Sequence, residues 1–168
     1  MRKTAVIYKS KYGATKRYAE WIAKDLNAEL FEAAGMEAAK LAQYDMVVYG
    51  GGVYADGVSG VKLVMKNPCK DLVVFTVGLT DPASGDFSAL IKNNSLGNTK
   101  VFHLMGALDF ENLKPLHKIG LSVLKKMLSK KDEKELTIIE RTIIGSHGQK
   151  VDFVDRAAVA PIVEYVKK

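Results

Sequence analysis

At 168 residues, 48% hydrophobic and 26% charged, the chain has the composition of one folded domain with a full hydrophobic core. No apolar run reaches the roughly 18–20 residues that span a bilayer, which excludes a transmembrane helix. The formal charge of +6 favours acidic partners: another protein's acidic face, an anionic membrane or an acidic substrate. No nucleic-acid-binding motif accompanies it, so nucleic acid is not expected.

Met1-Arg2-Lys3 leads directly into Thr4–Tyr8, a buried-type strand too short to be the apolar core of a signal peptide, so the cytoplasm is the expected compartment. Thr15 to Leu26 places Ala19, Ile22, Ala23 and Leu26 at the i, i+3, i+4, i+7 spacing of an amphipathic helix. Glu29–Glu32 alternates as a short edge strand and Met36–Ala42 reads as a short helix. Met46–Tyr49 is a continuous apolar strand that Gly50-Gly51-Gly52 stops. Ser59–Met65 predicts a helix ending near Asn67-Pro68. Leu72–Val77 and Lys100–Leu104 are further strands, separated by a helix over Asp86–Asn94. Strands alternating with helices imply right-handed βαβ units, hence an α/β, doubly wound, five-stranded parallel sheet with helices on both faces.

After the fifth strand the chain is largely helical. Pro115–Leu128 carries Leu116, Ile119, Gly120, Val123, Leu124, Met127 and Leu128 on one side and Lys114, His117, Lys118, Lys125 and Lys126 on the other. Asp132 and Glu135 have the spacing of an N-cap with its capping-box partner, opening a helix to about Ile144 that Gly145 and Gly148 break. Asp155–Val166 is the last helix, with Pro161 distorting its first turns. No repeat, low-complexity stretch or linker intervenes, so residues 1–168 read as a single domain. Cys69, the one cysteine, excludes an internal disulfide; beside Pro68 and without a motif it is a structural or incidental thiol. His103, His117 and His147 have no metal-ligand spacing with one another or with Cys69, and no metal is expected.

The chemistry concentrates in Ser10-Lys11-Tyr12-Gly13-Ala14-Thr15, between the first strand and the first helix. Open parallel sheets bind ligands outside the carboxyl ends of their strands. Gly13 permits a turn that other residues resist. Ser10 and Thr15 carry hydroxyl donors, the amides of Lys11 to Thr15 can converge on one anion, and the helix N-terminus adds a favourable dipole. A phosphate monoester suits such a nest. Lys11 either adds charge or faces solvent. No Gly-x-x-x-x-Gly-Lys-Ser/Thr string occurs; Gly50-Gly51-Gly52-Val53-Tyr54-Ala55 matches Gly-x-Gly-x-x-Ala but follows the third strand, the wrong place for a dinucleotide turn. Lys9 and Gly50–Gly52 stand where a phospho-receiver domain would carry acidic residues.

Tyr8-Lys9-Ser10-Lys11-Tyr12-Gly13-Ala14-Thr15, followed by Ala19, resembles the flavodoxin motif: an aromatic, Thr or Ser, two variable residues, Gly, one variable residue, Thr, then helix. Positions 11 and 12 lack the usual hydroxyls, so backbone amides must supply more of the grip, and the basic charge departs from the acidic small flavodoxins. The element order of the first 105 residues follows the same family. The resemblance implies a flavodoxin-like strand order 2-1-3-4-5, FMN as cofactor, and two further loops around the isoalloxazine ring, Gly51 to Gly57 and Gly78 to Asp86. Tyr54 is then the ring-stacking candidate, with Val53 and Ala55 beside it, or else simply a loop residue. Gly51 and Gly52 would let backbone approach the flavin edge. Thr76, Val77, Gly78 and Leu79 would offer backbone contacts, since Leu79-Thr80-Asp81-Pro82-Ala83 has no aromatic.

Gly106-Ala107-Leu108-Asp109-Phe110 and the basic amphipathic helix after it are similar to the flavodoxin-type, menaquinone-dependent protoporphyrinogen oxidases. Those share a Gly-Ala-Leu element, a nearby aromatic and a helix rich in Leu, Met and Lys. Here the expected arginine and aromatic residues are thinner, and Asp132 to Lys150 looks like an added helix. The likeness implies an FMN oxidoreductase taking electrons from a protoporphyrinogen or similar substrate to a quinone or other acceptor. No catalytic residue is assigned. The alternatives are an electron-transfer flavodoxin serving a redox partner protein, and a binding protein of the same fold without FMN. The 114–131 helix is read as core packing with solvated lysines, as peripheral contact with an anionic membrane at its inner face, as a cover for a hydrophobic substrate, or as a homodimer interface.

Overall fold

In the computed structural model, which describes residues 2–145 and 149–168, the chain divides into two units: Met1–Gly106 with Val154–Lys168, and Ala107–Phe153. His147 and Gly148 lie outside the described residues. The first unit holds strands β1 (Thr4–Lys9), β2 (Glu29–Glu32), β3 (Met46–Tyr54), β4 (Gly57–Val58), β5 (Asp71–Gly78) and β6 (Lys100–Met105). The helices along the chain are α1 (Ala14–Leu26), α2 (Lys62–Met65), α3 (Ser88–Asn93), α4 (Pro115–Leu128), α5 (Ile138–Gly145) and α6 (Ala160–Lys167), of which α4 and α5 belong to the second unit.

The sheet runs β2-β1-β3-β5-β6, all parallel, with β4 folded back antiparallel on the end of β3. Counting the five parallel strands alone, the order is 2-1-3-4-5, as expected. The chain leaves β1 in one direction to form β2 and returns to the other side of β1 for β3, so the switch point lies between the carboxyl ends of β1 and β3. Alternation along the strands divides the core. Ala5, Ile7, Val47, Tyr49 and Val74 pack with Leu41, Val61, Val64 and Leu90 on one face. Val6, Val48 and Phe75, also buried, point to the other face. Helix α1 crosses β1, β3 and β5 and buries Tyr18, Ala19, Ile22 and Ala23; of the four-residue stripe read from its spacing, Leu26 is only half-buried and Tyr18 takes part instead. Ile22 contributes about 1.5–3 kcal/mol on leaving water, and each alanine methyl less than about 1 kcal/mol. The Tyr18 hydroxyl donates to the Met105 carbonyl (2.8 Å) and accepts from the Asp155 amide (3.1 Å), tying α1 to the end of β6 and to the returning C-terminal segment.

The third strand is longer than predicted. Glycine lowers strand propensity, which is why the run was expected to end at Tyr49. Pairing on both sides overrides that preference: Tyr8 and Lys9 align with Gly50 and Gly51, and Phe75, Thr76 and Val77 with Gly50, Gly51 and Gly52. The glycines are buried for want of room. A Cβ on Gly50 would overlap the Phe75 ring, and one on Gly51 would lie 2.6 Å from Val58 Cγ1. The segment expected as helix over Met36–Ala42 forms 3₁₀ turns at Ala33–Gly35 and Ala38–Gln43, with Met36 extended between them. The Ser59–Met65 helix shrinks to Lys62–Met65, because Gly60 adopts a left-handed φ of 72° and the Ser59 backbone is engaged by Gly52 and by the Tyr49 hydroxyl.

On the face of Thr76, the His103 Nδ1 lies 2.7 Å from the Thr76 hydroxyl and its ring stacks on Phe87 at 3.6 Å between centroids, 3° from parallel. This half-burial holds the imidazole below its ordinary 6.5. In the second unit, β7 (Ala107–Leu108) pairs antiparallel with β8 (Val151–Asp152), and Leu108, Leu113, Leu121, Leu128 and Ile143 are buried. Asp132 caps only a 3₁₀ turn, Glu133–Glu135. The reciprocal box that opens α5 lies one turn later: the Glu140 amide donates to Thr137 Oγ1 (3.1 Å) and the Thr137 amide to Glu140 Oε2 (2.9 Å). The last helix is likewise delayed, with a 3₁₀ turn at Arg156–Val159 before α6 and Pro161 in its first turn.

Two outcomes follow. Gly50→Ala should lower stability by about 1–3 kcal/mol in denaturant unfolding, and the Gly50→Ala, Phe75→Val double variant should lose less than the sum of the two single changes. For His103, the folded chain resists protonation more than the unfolded one, so its contribution is full above about pH 6.5 and falls as pH drops below that value until the depressed native pKa is passed. His103→Gln should flatten that acid limb; parallel stability curves for variant and parent would contradict the assignment.

Candidate functional site

The turn after β1 is built around Gly13, whose φ of 94° is a left-handed value open to glycine. The Gly13 amide donates to Ser10 Oγ at 3.1 Å, which closes the loop and leaves the Ser10 hydroxyl hydrogen for another acceptor. The first helical bond runs from the Arg17 amide to the Gly13 carbonyl (3.1 Å), and no side chain caps α1. The helix therefore leaves the amides of Ala14, Thr15 and Lys16 for a partner outside it. Thr15 is only 3% exposed, and its hydroxyl has no hydrogen-bond partner among the described residues. Among those residues no fully buried side-chain polar atom lacks a partner, so this oxygen keeps some exposure. Uncapped amides, two hydroxyls and the positive end of a thirteen-residue helix make a nest for one tetrahedral anion. These residues fit the phosphate that the resemblance implies.

Lys11 is exposed, with its ammonium 5.5 Å from the Tyr54 ring centre and 5.8 Å from that of Tyr12. Tyr12 and Tyr54 meet edge to face at 6.5 Å. The structure thus brings Lys11, Tyr12 and Tyr54 together beside the nest. Burial, with Tyr12 adding to it, pushes the Tyr54 phenol up to about 12, so it stays protonated at neutral pH. Its ring lies back over Gly52, where a Cβ would come within 3.1 Å.

The 51–57 segment is not a loop but the end of a hairpin. Gly51, Gly52, Val53 and Tyr54 are in β3, and the turn is confined to Ala55 and Asp56, with φ of 47° and 58°. Two positive φ angles define a tight hairpin turn whose twist matches its strands. Ala55 is strained there, since a Cβ in the left-handed region costs about 1–2 kcal/mol. Gly51 and Gly52 are interior, and the Gly52 carbonyl accepts from the Ser59 amide (3.0 Å). On β5, Thr76 and Val77 are buried and the Thr76 hydroxyl is committed to His103. The Gly78 carbonyl accepts from the Gly106 amide at 2.7 Å, and Val53 packs against Gly78. Leu79 remains half-buried at the start of a turn gathered around Asp81, whose carboxylate accepts from the Ala83 amide and the Ser84 hydroxyl.

Asn94 was not read as a site residue. Its side-chain carbonyl accepts from the Val58 amide (2.9 Å), and its amide donates to the Asp56 carbonyl (2.8 Å), clamping the strained turn from the end of α3. An Asn at the end of a helical run carries no spacing signal for that role. Among the described residues no three His, Cys, Asp or Glu side chains converge as for a metal. Burial pushes the Cys69 thiol up, away from nucleophilic character. An open hollow of about 260 Å³ in the second unit, lined by Phe110, Lys118, Leu121, Ser122 and Lys125, contains none of these site residues.

The family model described as a flavodoxin domain matches residues 5–136. Among solved structures, a flavodoxin from the domain Archaea is 16% identical, with 99% of each chain covered and a TM-score of 0.47. Oxidised flavodoxin 1 from Bacillus cereus is 18% identical over 61% of this chain and 84% of that one, with a TM-score of 0.45. A flavoprotein in complex with FMN from Lactobacillus acidophilus NCFM is 15% identical over 62% of this chain and 93% of that one, with a TM-score of 0.43. No curated protein matches the chain. The match over residues 5–136 takes in β1, the nest, the hairpin and all five parallel strands, and the chain belongs to the flavodoxin domain family.

Proposed function

We propose that the chain binds FMN with its phosphate in the Ser10–Thr15 turn and acts as a flavin-dependent oxidoreductase of the cytoplasm. The observation that carries this reading is the Thr15 hydroxyl, which sits in a nearly buried residue without a partner among the described residues and beside uncapped helix amides. Ser10, Gly13, Ala14 and Thr15 would hold the phosphate, and Tyr12, Tyr54 and Leu79 would border the ring. FMN, when bound, supplies one- and two-electron transfer; the protein orients it and sets the surrounding polarity. The Tyr54 phenol, protonated at neutral pH, serves as a hydrogen-bond donor or an aromatic wall and not as a base. The Lys11 ammonium adds positive charge beside the nest.

A second compact unit, inserted between β6 and α6, supports the enzyme reading. On that reading the substrate is a protoporphyrinogen or a similar electron donor, with a quinone or other acceptor. The complete nest and hairpin within the first unit equally support the second reading, an electron carrier for a redox partner protein with no small-molecule substrate.

Ser10→Ala combined with the isosteric Thr15→Val should weaken FMN by about tenfold or more per hydroxyl while changing riboflavin little, because only FMN presents a charged acceptor there. Equal losses for both flavins would reject the phosphate assignment. Oxidation of protoporphyrinogen with a quinone acceptor by the purified FMN-loaded chain would select the enzyme reading. Its absence, with rapid electron exchange with a ferredoxin-type protein, would select the carrier.

A further inference from the structure

Four large apolar side chains on α4 face outward: Leu116 is 75% exposed, Ile119 63%, Val123 53% and Met127 63%. At 3.6 residues per turn they fall in one stripe about 80° wide and about 16 Å long. The core-facing side of the same helix is elsewhere on its circumference, at Leu121 and Leu128, so the stripe is surplus to packing. Core packing with solvated lysines therefore accounts for only part of the apolar pattern. The charge around it is of one sign. Residues 112–131 contain Lys114, Lys118, Lys125, Lys126, Lys130 and Lys131 and no Asp or Glu. Lys131 pairs with Glu140 at 2.7 Å and Lys125 lies over the Phe110 ring at 4.4 Å, while exposed Lys126 and Lys130 border the stripe.

That charge decides between occupants. A second copy meeting this face would set Lys126 and Lys130 against their own counterparts, since Lys114, Lys118 and Lys125 fall on the opposite side of the helix, and residues 112–131 hold no carboxylate to offset them. An anionic bilayer supplies both an apolar boundary for the stripe and negative charge for its rim. Among the described residues no helix is long and apolar enough to cross a membrane, so the helix would lie in the interface and not span it. We propose that α4 docks flat on an anionic lipid surface, with Leu116, Ile119, Val123 and Met127 in the acyl boundary and the lysines at the phosphate level. This does not depend on the flavin reading.

The test is vesicle co-sedimentation of the full chain with phosphatidylcholine alone or with about a third phosphatidylglycerol. Partition onto the anionic vesicles should exceed that onto neutral ones by about tenfold or more and fall as salt is added. Ile119→Ser with Val123→Ser, both at exposed positions, should reduce it about tenfold or more. Lys126→Glu with Lys130→Glu should do the same without touching the apolar stripe, so a loss of folding in the serine pair leaves the test intact. Lys62→Glu with Lys66→Glu makes the same charge change on α2 and its flank and should leave partition within about twofold. Three results would overturn the proposal: no preference for anionic vesicles, an equal loss in the Lys62, Lys66 pair, or a concentration-dependent dimer that the serine pair abolishes in a chain that does not sediment with vesicles.

Discussion

The first unit depends on the absence of side chains at Gly50, Gly51 and Gly52. Each glycine yields its space to a different neighbour: the Phe75 ring, the Val58 side chain with the Ser59 backbone, and the Tyr54 ring. Phe75 brings β5 against the centre of the sheet, Val58 folds the hairpin back, and Tyr54 turns towards Tyr12. A packed interior has no slack for three methyl groups in this row. Three loops thus converge at the carboxyl edge, where the switch point already opens a crevice. The glycines bring together the elements that border the candidate site.

Around that edge, order and strain are distributed unequally. The nest is closed by the bond from the Gly13 amide to Ser10 Oγ, and Ala14 and Thr15 within it are buried. The hairpin turn carries Ala55 in a left-handed conformation and is pinned by Asn94 through two hydrogen bonds. Strain of this kind persists only where surrounding structure enforces it, and it concentrates at ligand clamps and switches. The Thr76, His103 and Phe87 stack stiffens the neighbouring strands while keeping a neutral imidazole inside. The second unit has a different character: its α4 packs through Leu121 and Leu128 and leaves a row of apolar side chains exposed.

Much of the fold was legible because periodicity reports burial directly. The α1 stripe at Ala19, Ile22 and Ala23 and the α4 boundaries, Pro115 to Leu128, stand as read. Misreadings arose where tertiary pairing outweighed local preference. Gly50–Gly52 signals a stop in isolation but is held as strand by partners on both sides. Asp132 and Glu135 have capping-box spacing, yet Thr137 and Glu140 form the box, because the α5 helix begins one turn later. At the candidate site, Ser10, Gly13 and Thr15 were legible since a short strand-to-helix turn keeps its residues local. The hold of Asn94 on the turn and the pairing of Thr76 with His103 join residues distant in sequence, and no spacing rule announces them.

Phosphorus NMR of the FMN-loaded chain tests the central claim most directly. A free phosphate monoester loses its second proton near pH 6. Held by the helix amides and the Ser10 and Thr15 hydroxyls, the dianion should be favoured and its signal should stay fixed as pH passes through that value. A signal that titrates like free FMN would mean that the phosphate lies in solvent, and would contradict the assignment of the Ser10–Thr15 turn.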